Sequence, residues 1–361
     1  MHLVNNLSDE FLFLIVTRDH DLGDNDTYSD VTVNKWQDVG AAKVLYVSEG
    51  NMSNNFLRTL LSKTPHDILY LNSFFDIDYS IKPLFARLWL SKLDRRPVLL
   101  APRGEFSPGA LKLKHIKKRV YLLFVRLIRL YRNVNFQASS ILESENIQRE
   151  LGYVDPIVKV AIDLPDKKAS PTVGSTTIIL SSALKIIFLS RISPMKNLDF
   201  ALKILSRLES DVVFDIYGPI EDLEYWALCQ SLIEVLPSNI KVFYKGGVPP
   251  VEVGPTFAGY DLFLFPTRGE NYGHVIAESL SAGTVVLVSD QTPWKNLKDD
   301  GLGWDIPLQS PDEMVEAITE FASRGREAWS AHRSIVQSNV ASRLYNPANV
   351  QANRDMFNSI A

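Results

Sequence analysis

A single cysteine, Cys229, stands in 361 residues, so no disulfide can close within the chain. Neither charge is in large excess. The 38 Lys and Arg against 42 Asp and Glu leave a net −4, which removes the general electrostatic argument for a nucleic-acid partner. No apolar run reaches the about 20 residues that a membrane span needs. The longest, around Tyr121 to Leu130, is broken by Arg126 and Arg129. The N-terminus has no basic stretch followed by an apolar run, as a signal peptide would. The expectation is a cytoplasmic protein that meets a membrane, if at all, peripherally at its inner face. What is present is apolar material for a sizeable core, 46% of residues, in a length that suggests two domains.

Short apolar runs bounded by turn residues alternate with longer helical patterns, which reads as α/β with doubly wound parallel sheets. Strands are predicted at 11–16, 42–47, 68–71, 98–101, 134–137, 186–189, 212–216, 241–244, 262–265 and 285–288. Helices are predicted at 111–131, 144–151, 198–208, 221–235, 274–282 and 311–322. The stretch Pro165 to Ser182 is rich in Pro, Lys, Ser and Thr and reads as a linker. It divides an N-terminal domain, 1–165, from a second domain, 166–340, with 341–361 folding back on the first. Two such domains facing a cleft bind ligands in the loops after their strands. One element is missing from this scheme. No opening strand with a Gly-rich turn precedes Asp9, and 1–8 reads as a helix remnant.

The segment 261–290 forms one strand–loop–helix–strand unit. Gly269 and Gly273 permit a tight loop, and the helix from His274 offers free N–H groups to an anion or a sugar hydroxyl. Glu270 lies in that loop and Glu278 more than a turn into the helix. A carboxylate accepts from two neighbouring hydroxyls at once, which suits the vicinal diol of a hexose or ribose. The loop after strand 186–189 carries Arg191 and Lys196. A forked guanidinium and a compact ammonium together offset a diphosphate and stabilise it as a leaving group.

At Arg191-Ile192-Ser193-Pro194-Met195-Lys196-Asn197, Tyr217-Gly218-Pro219 and the run Pro266 to Glu278, the sequence resembles family 4 glycosyltransferases, retaining enzymes of the GT-B fold with two Rossmann-like domains. The resemblance continues through Ser289 to Trp294 and, in the first half, Ala101 to Glu105. It implies that Arg191 and Lys196 hold the diphosphate of a UDP- or GDP-sugar. Glu270 and the backbone of Asn271, Tyr272, Gly273 and His274 would hold the transferred sugar, Glu278 the ribose, and Gly218 would line the donor site. The implied reaction forms the new bond on the face the leaving group departs from, with the phosphate oxygen taking the acceptor's proton. It uses neither metal nor other cofactor. The implied acceptor is a glycan or lipid-linked sugar, in surface polysaccharide or glycolipid assembly. Base and sugar choice would lie in the loops 218–223 and 246–253.

Bland readings stand beside these. Two glutamates around a helix start are often a solvated face, and His274 is as readily a packing residue as a ligand. Arg103 and Glu105 follow a strand and read as acceptor-side residues with Asn72, or as a pair bound to each other. Asp19-His20-Asp21 and Asp76-Ile77-Asp78 match a metal-binding Asp-x-Asp pattern, for which turn chemistry is the simpler account. From Lys112 to Arg132 there are nine basic groups and no acid, set among apolar residues at helical spacing. That stretch reads as a contact with an anionic membrane surface, or as a core helix with one charged solvated face. Two other functions fit the same fold: a sugar-nucleotide binder without turnover, and an epimerase acting on the donor alone.

Overall fold

The structure, a computed structural model, describes residues 1–20, 27–29, 31–48, 50–91, 95–112, 115–165, 183–344 and 346–360. The linker expected at Pro165 to Ser182 lies outside them apart from Pro165, and so does Asp21. The chain divides into two compact units, residues 1–167 with 347–361, and residues 168–346.

In the first unit a short helix α1 (His2–Leu7) leads to strand β1 (Phe13–Arg18). β1 pairs in parallel with β3 (Ala42–Val47), and β3 takes β2 (Trp36–Val39) antiparallel on its other edge. A second, all-parallel sheet runs β4 (Leu69–Asn72), β5 (Val98–Ala101), β6 (Val134–Ala138) and β7 (Ile157–Val160). Among the described residues β1 pairs only with β3 and β4 only with β5, so each keeps one unpaired edge. β5 is buried along its whole length, as a parallel strand covered on both faces must be. Between the strands lie α2 (Asn54–Lys63), α3 (Lys82–Leu88), α4 (Pro108–Lys112), α5 (His115–Ile128) and α6 (Ile141–Leu151).

Three expectations need adjustment here. The helix predicted at 111–131 is two helices, α4 and α5, and the second stops at Ile128. α6 starts three residues earlier than predicted because Ser140 caps it, its hydroxyl accepting from the Glu143 amide at 3.1 Å. β2 and β7 are strands that short, half-exposed runs did not announce.

The second unit is one six-stranded parallel sheet. Its strands are β8 (Leu184–Leu189), β9 (Val212–Tyr217), β10 (Ile240–Gly246), β11 (Leu262–Phe265), β12 (Val285–Ser289) and β13 (Gly303–Ile306). They lie in the order β10-β9-β8-β11-β12-β13. The chain therefore winds outward from β8 in one direction, then returns to β11 on its other side and winds the opposite way. β8 and β11 flank the reversal, the place where an open α/β sheet forms its ligand crevice. Packed on this sheet or linking its strands are α7 (Leu198–Leu205), α8 (Leu223–Glu234), α9 (Val253–Ala258), α10 (His274–Ser281), α11 (Pro311–Ser323) and α12 (Gly325–Leu344).

The last helix, α13 (Pro347–Asn358), belongs to the first unit. Met356 and Phe357 join Leu7, Leu99 and Leu164 in one apolar cluster. Arg354 adds ion pairs to Asp9 at 3.0 Å and Glu10 at 2.9 Å.

Candidate active site

Both loops at the reversal carry residues singled out from the sequence. The loop after β8 brings Arg191 and Lys196; the loop after β11 brings Glu270. Lys196 Nζ donates to Glu270 Oε1, and each side chain is only 13% exposed. The two loops are stitched by backbone and side chain alike. The Arg268 amide donates to the Met195 carbonyl at 2.9 Å, and Asn197 Nδ2 donates to the Pro266 carbonyl at 2.8 Å. Arg268 Nε donates to Asn197 Oδ1 at 3.0 Å. The loop after β12 joins them, its Gln291 carbonyl accepting from the Glu270 amide at 3.0 Å. The Thr267 hydroxyl adds a bond to the Met195 carbonyl at 3.2 Å, so Asn197, Thr267 and Gln291 fix the site, although none of them has a separate role in the sequence pattern. Asn197 carried a signal in hindsight, because it starts α7 in the left-handed conformation that Asn tolerates.

Arg191 sits differently. Its guanidinium is exposed and bonds Glu221 Oε1 at 2.7 Å. A solvated pair of this kind contributes little to stability, so the arginine is available to a ligand. Below it, Gly218 lies at φ +130, and a Cβ there would fall 1.9 Å from the Ser190 carbonyl oxygen. The loops after β8 and β9 touch through backbone, and only glycine permits it.

α10 begins at Gly273, with φ +78, which has no side chain to cap the helix. A Cβ on Gly273 would meet Ile276 Cδ1 at 2.8 Å. The preceding turn is held by buried Trp294, whose indole N–H donates to the Tyr272 carbonyl at 2.7 Å. The His274 ring packs beside Tyr272, centroids 4.8 Å apart.

Glu278, one turn further on, is exposed to solvent, yet burial of its carboxyl pushes the pKa up to about 7. A carboxyl raised in this way holds its proton more tightly folded than unfolded. Its contribution to stability is complete below the ordinary glutamate value and is lost as pH rises through about 7. Glu278→Gln should therefore melt close to the parent at pH 4 and above it at pH 8. A melting difference that stays constant across that range would show that the carboxyl titrates normally.

In the first unit, Arg103 and Asn72 come together. Arg103 Nη2 donates to Asn72 Oδ1 at 2.9 Å and to the Tyr70 hydroxyl at 2.7 Å, and Nη1 pairs with Asp163. Glu105 is not its partner. The Glu105 carboxylate accepts from Ser73 Oγ at 2.8 Å and from the Phe74 and Phe75 amides, so it shapes the turn after β4. Asp76 accepts from the Tyr79 amide at 2.7 Å and pairs with Arg18, while Asp78 pairs with Lys82. Their carboxylates serve a turn and a helix. Asp19 pairs with His20 at 2.7 Å. Among the described residues no group of three or more His, Cys, Asp or Glu is placed to hold a metal, and no helix is long and apolar enough to cross a membrane.

Two α/β units with parallel sheets, the second with its polar loops gathered at a strand-order reversal, define a GT-B glycosyltransferase fold. Residues 179–334 match the family model of the glycosyl transferases group 1, and the chain carries that family's domain. Over 88% of its length it superposes on 86% of HepE of Anabaena, crystallised with UDP and glucose, at TM-score 0.68 and 17% identity. It superposes over 98% on 94% of WaaG, a glycosyltransferase involved in lipopolysaccharide biosynthesis, at TM-score 0.65 and 15% identity. In sequence it is 22% identical over 293 residues to a Klebsiella pneumoniae protein described as an uncharacterized 41.2 kDa protein in the cps region, covering 77% of each.

Proposed function

We propose that the chain is a retaining, family 4 glycosyltransferase that takes a sugar from a UDP- or GDP-sugar and passes it to a glycan or lipid-linked acceptor in surface polysaccharide assembly. The observation that carries this reading is the Lys196–Glu270 pair at the strand-order reversal, beside the exposed Arg191 and the uncapped start of α10. Without ligand, Lys196 and Glu270 satisfy each other. A bound donor divides them, the ammonium turning to a phosphate oxygen and the carboxylate to sugar hydroxyls. Arg191 adds the second cation, the α10 N–H groups face the sugar or phosphate, and Glu278 accepts from the ribose. With two cations on the diphosphate, the reaction needs neither metal nor other cofactor. The C1–phosphate bond breaks, the acceptor oxygen bonds C1 on the same face, and its proton passes to the departing phosphate oxygen. Arg103 and Asn72 are the acceptor-side candidates, with Glu105 positioning the neighbouring turn.

HepE, crystallised with UDP and glucose, favours UDP over GDP, and the cps-region relative favours a polysaccharide product. The test is thermal stabilisation by a panel of nucleotide sugars in EDTA, repeated with Arg191→Ala and Glu278→Ala. At about one hundred times Kd a ligand that binds only the folded chain contributes about 2.7 kcal/mol. Spread over a unit of this size, that is a rise of roughly 5–10 °C. One donor should give it, and both variants should lose it. A shift that needs Mn²⁺ would overturn the metal-free reading. Binding with no transfer to any glycan acceptor would leave a sugar-nucleotide binder instead.

A further inference from the structure

α5 buries Leu122 and Val125 in the core of the first unit. A core helix with a charged outer face would turn its remaining apolar side chains inward, and α5 does not. Ile116, Val120, Leu123 and Leu127 are 78%, 63%, 69% and 83% exposed. Their spacing of four, three and four places them on one stripe, roughly opposite Leu122 and Val125 at about 100° per residue. Phe124 and Ile128 widen the stripe on one side. Four large apolar side chains in an unbroken exposed row exceed the scatter of single residues normal on a protein surface.

The charges beside the stripe identify its occupant. Lys117 borders it on one side, His115, Arg119 and Arg126 on the other, and Arg129 and Arg132 follow the helix. No Asp or Glu occurs between Lys112 and Arg132. Some of this charge is spent within the unit. Arg119 lies 3.4 Å from Glu150, Arg126 stacks over Tyr153 at 5.3 Å, and Lys118 turns in to donate to the Ala110 carbonyl at 2.7 Å. Lys117, Arg129 and Arg132 remain exposed. A second copy presenting the same face would set like charges against each other. An apolar ridge bordered by cations fits a surface with anionic headgroups over hydrocarbon.

We infer that α5 lies in the surface of an anionic lipid bilayer, with the Ile116–Leu127 stripe among the acyl chains and Lys117, Arg129 and Arg132 at the phosphates. This surface is separate from the donor site and stands without it. The test is co-sedimentation of the full chain with vesicles of phosphatidylglycerol and phosphatidylcholine, against phosphatidylcholine alone. The full chain should bind the anionic vesicles and lose binding in high salt. Leu123→Ser/Leu127→Ser and Lys117→Glu/Arg132→Glu should each reduce partition at least about ten-fold. A variant that melts early is replaced by Ile116→Ser/Val120→Ser on the same stripe. Stabilisation by a nucleotide sugar should be unchanged in all of them, which separates this outcome from failure of the donor reading. Absence of binding to anionic vesicles, parental binding by the variants, or a dimer in light scattering that the stripe variants dissolve would each overturn the inference.

Discussion

Lys196→Met should abolish most transfer activity and destabilise the second unit at once. Its ammonium and the Glu270 carboxylate are each 13% exposed. Removing the cation alone leaves a largely buried carboxylate without its partner, a loss of about 3–5 kcal/mol where such pairs have been broken. On the chemical side, one lost group that stabilises developing charge lowers kcat by roughly 10²–10³. The two effects separate in a cycle. Lys196→Met/Glu270→Gln replaces both charges and should regain most of the stability, since no buried ion is then unpaired. Activity should stay low, because the leaving diphosphate still lacks its cation. Thermal melts and initial rates on these two variants, on Glu270→Gln and on the parent decide it. If Lys196→Met keeps kcat within about two-fold of the parent, the lysine does not meet the diphosphate.

The second large effect is expected at Gly218→Ala. The added Cβ would stand 1.9 Å from the Ser190 carbonyl oxygen, a backbone atom with no rotamer to retreat into. The φ of +130 is itself one that alanine rarely adopts. Strained backbone costs on the order of 1–3 kcal/mol, and overpacking a similar amount. The sum should lower the melting temperature by roughly 6–15 °C. It should also displace the loop that carries Arg191, so donor stabilisation should be lost under conditions where the variant is still folded. Gly247→Ala is the control, with nothing within 4 Å of the added atom. Equal melting temperatures for the two variants would mean that the loops after β8 and β9 do not meet as described.

The sheet of the second unit was legible where apolar runs were unbroken and bounded. Leu262–Phe265 is buried throughout and flanked by Asp261 and Pro266, so it could be located to the residue. β13 opens on a glycine and was not seen. α12 was missed for another reason. It is polar for most of its 20 residues, and its buried positions, Trp329, Val336, Val340 and Leu344, form a stripe too sparse to stand out. At the site, the sequence places residues on loops after strands but cannot tell which side chains will meet. Lys196 and Glu270 are 74 residues apart, Arg191 and Glu221 are 30, and Glu105 is 31 from the Phe74 amide it binds. Such pairings are set by strand order, and the reversal between β8 and β11 is a property of the sheet that no local pattern encodes.

The unpaired edges of β1 and β4 bear on how the protein behaves in a tube. β1 is half-buried along its length, and β4 is half-buried or exposed at three of its four residues. Each edge presents a row of backbone donors and acceptors that another extended chain can use, and neither strand carries a proline to block it. Strand addition in concentrated solution is therefore expected at β1 and β4, as at the exposed outer strand β10 of the second unit. Amide exchange along β1 should outpace that along the fully covered β11 and β12.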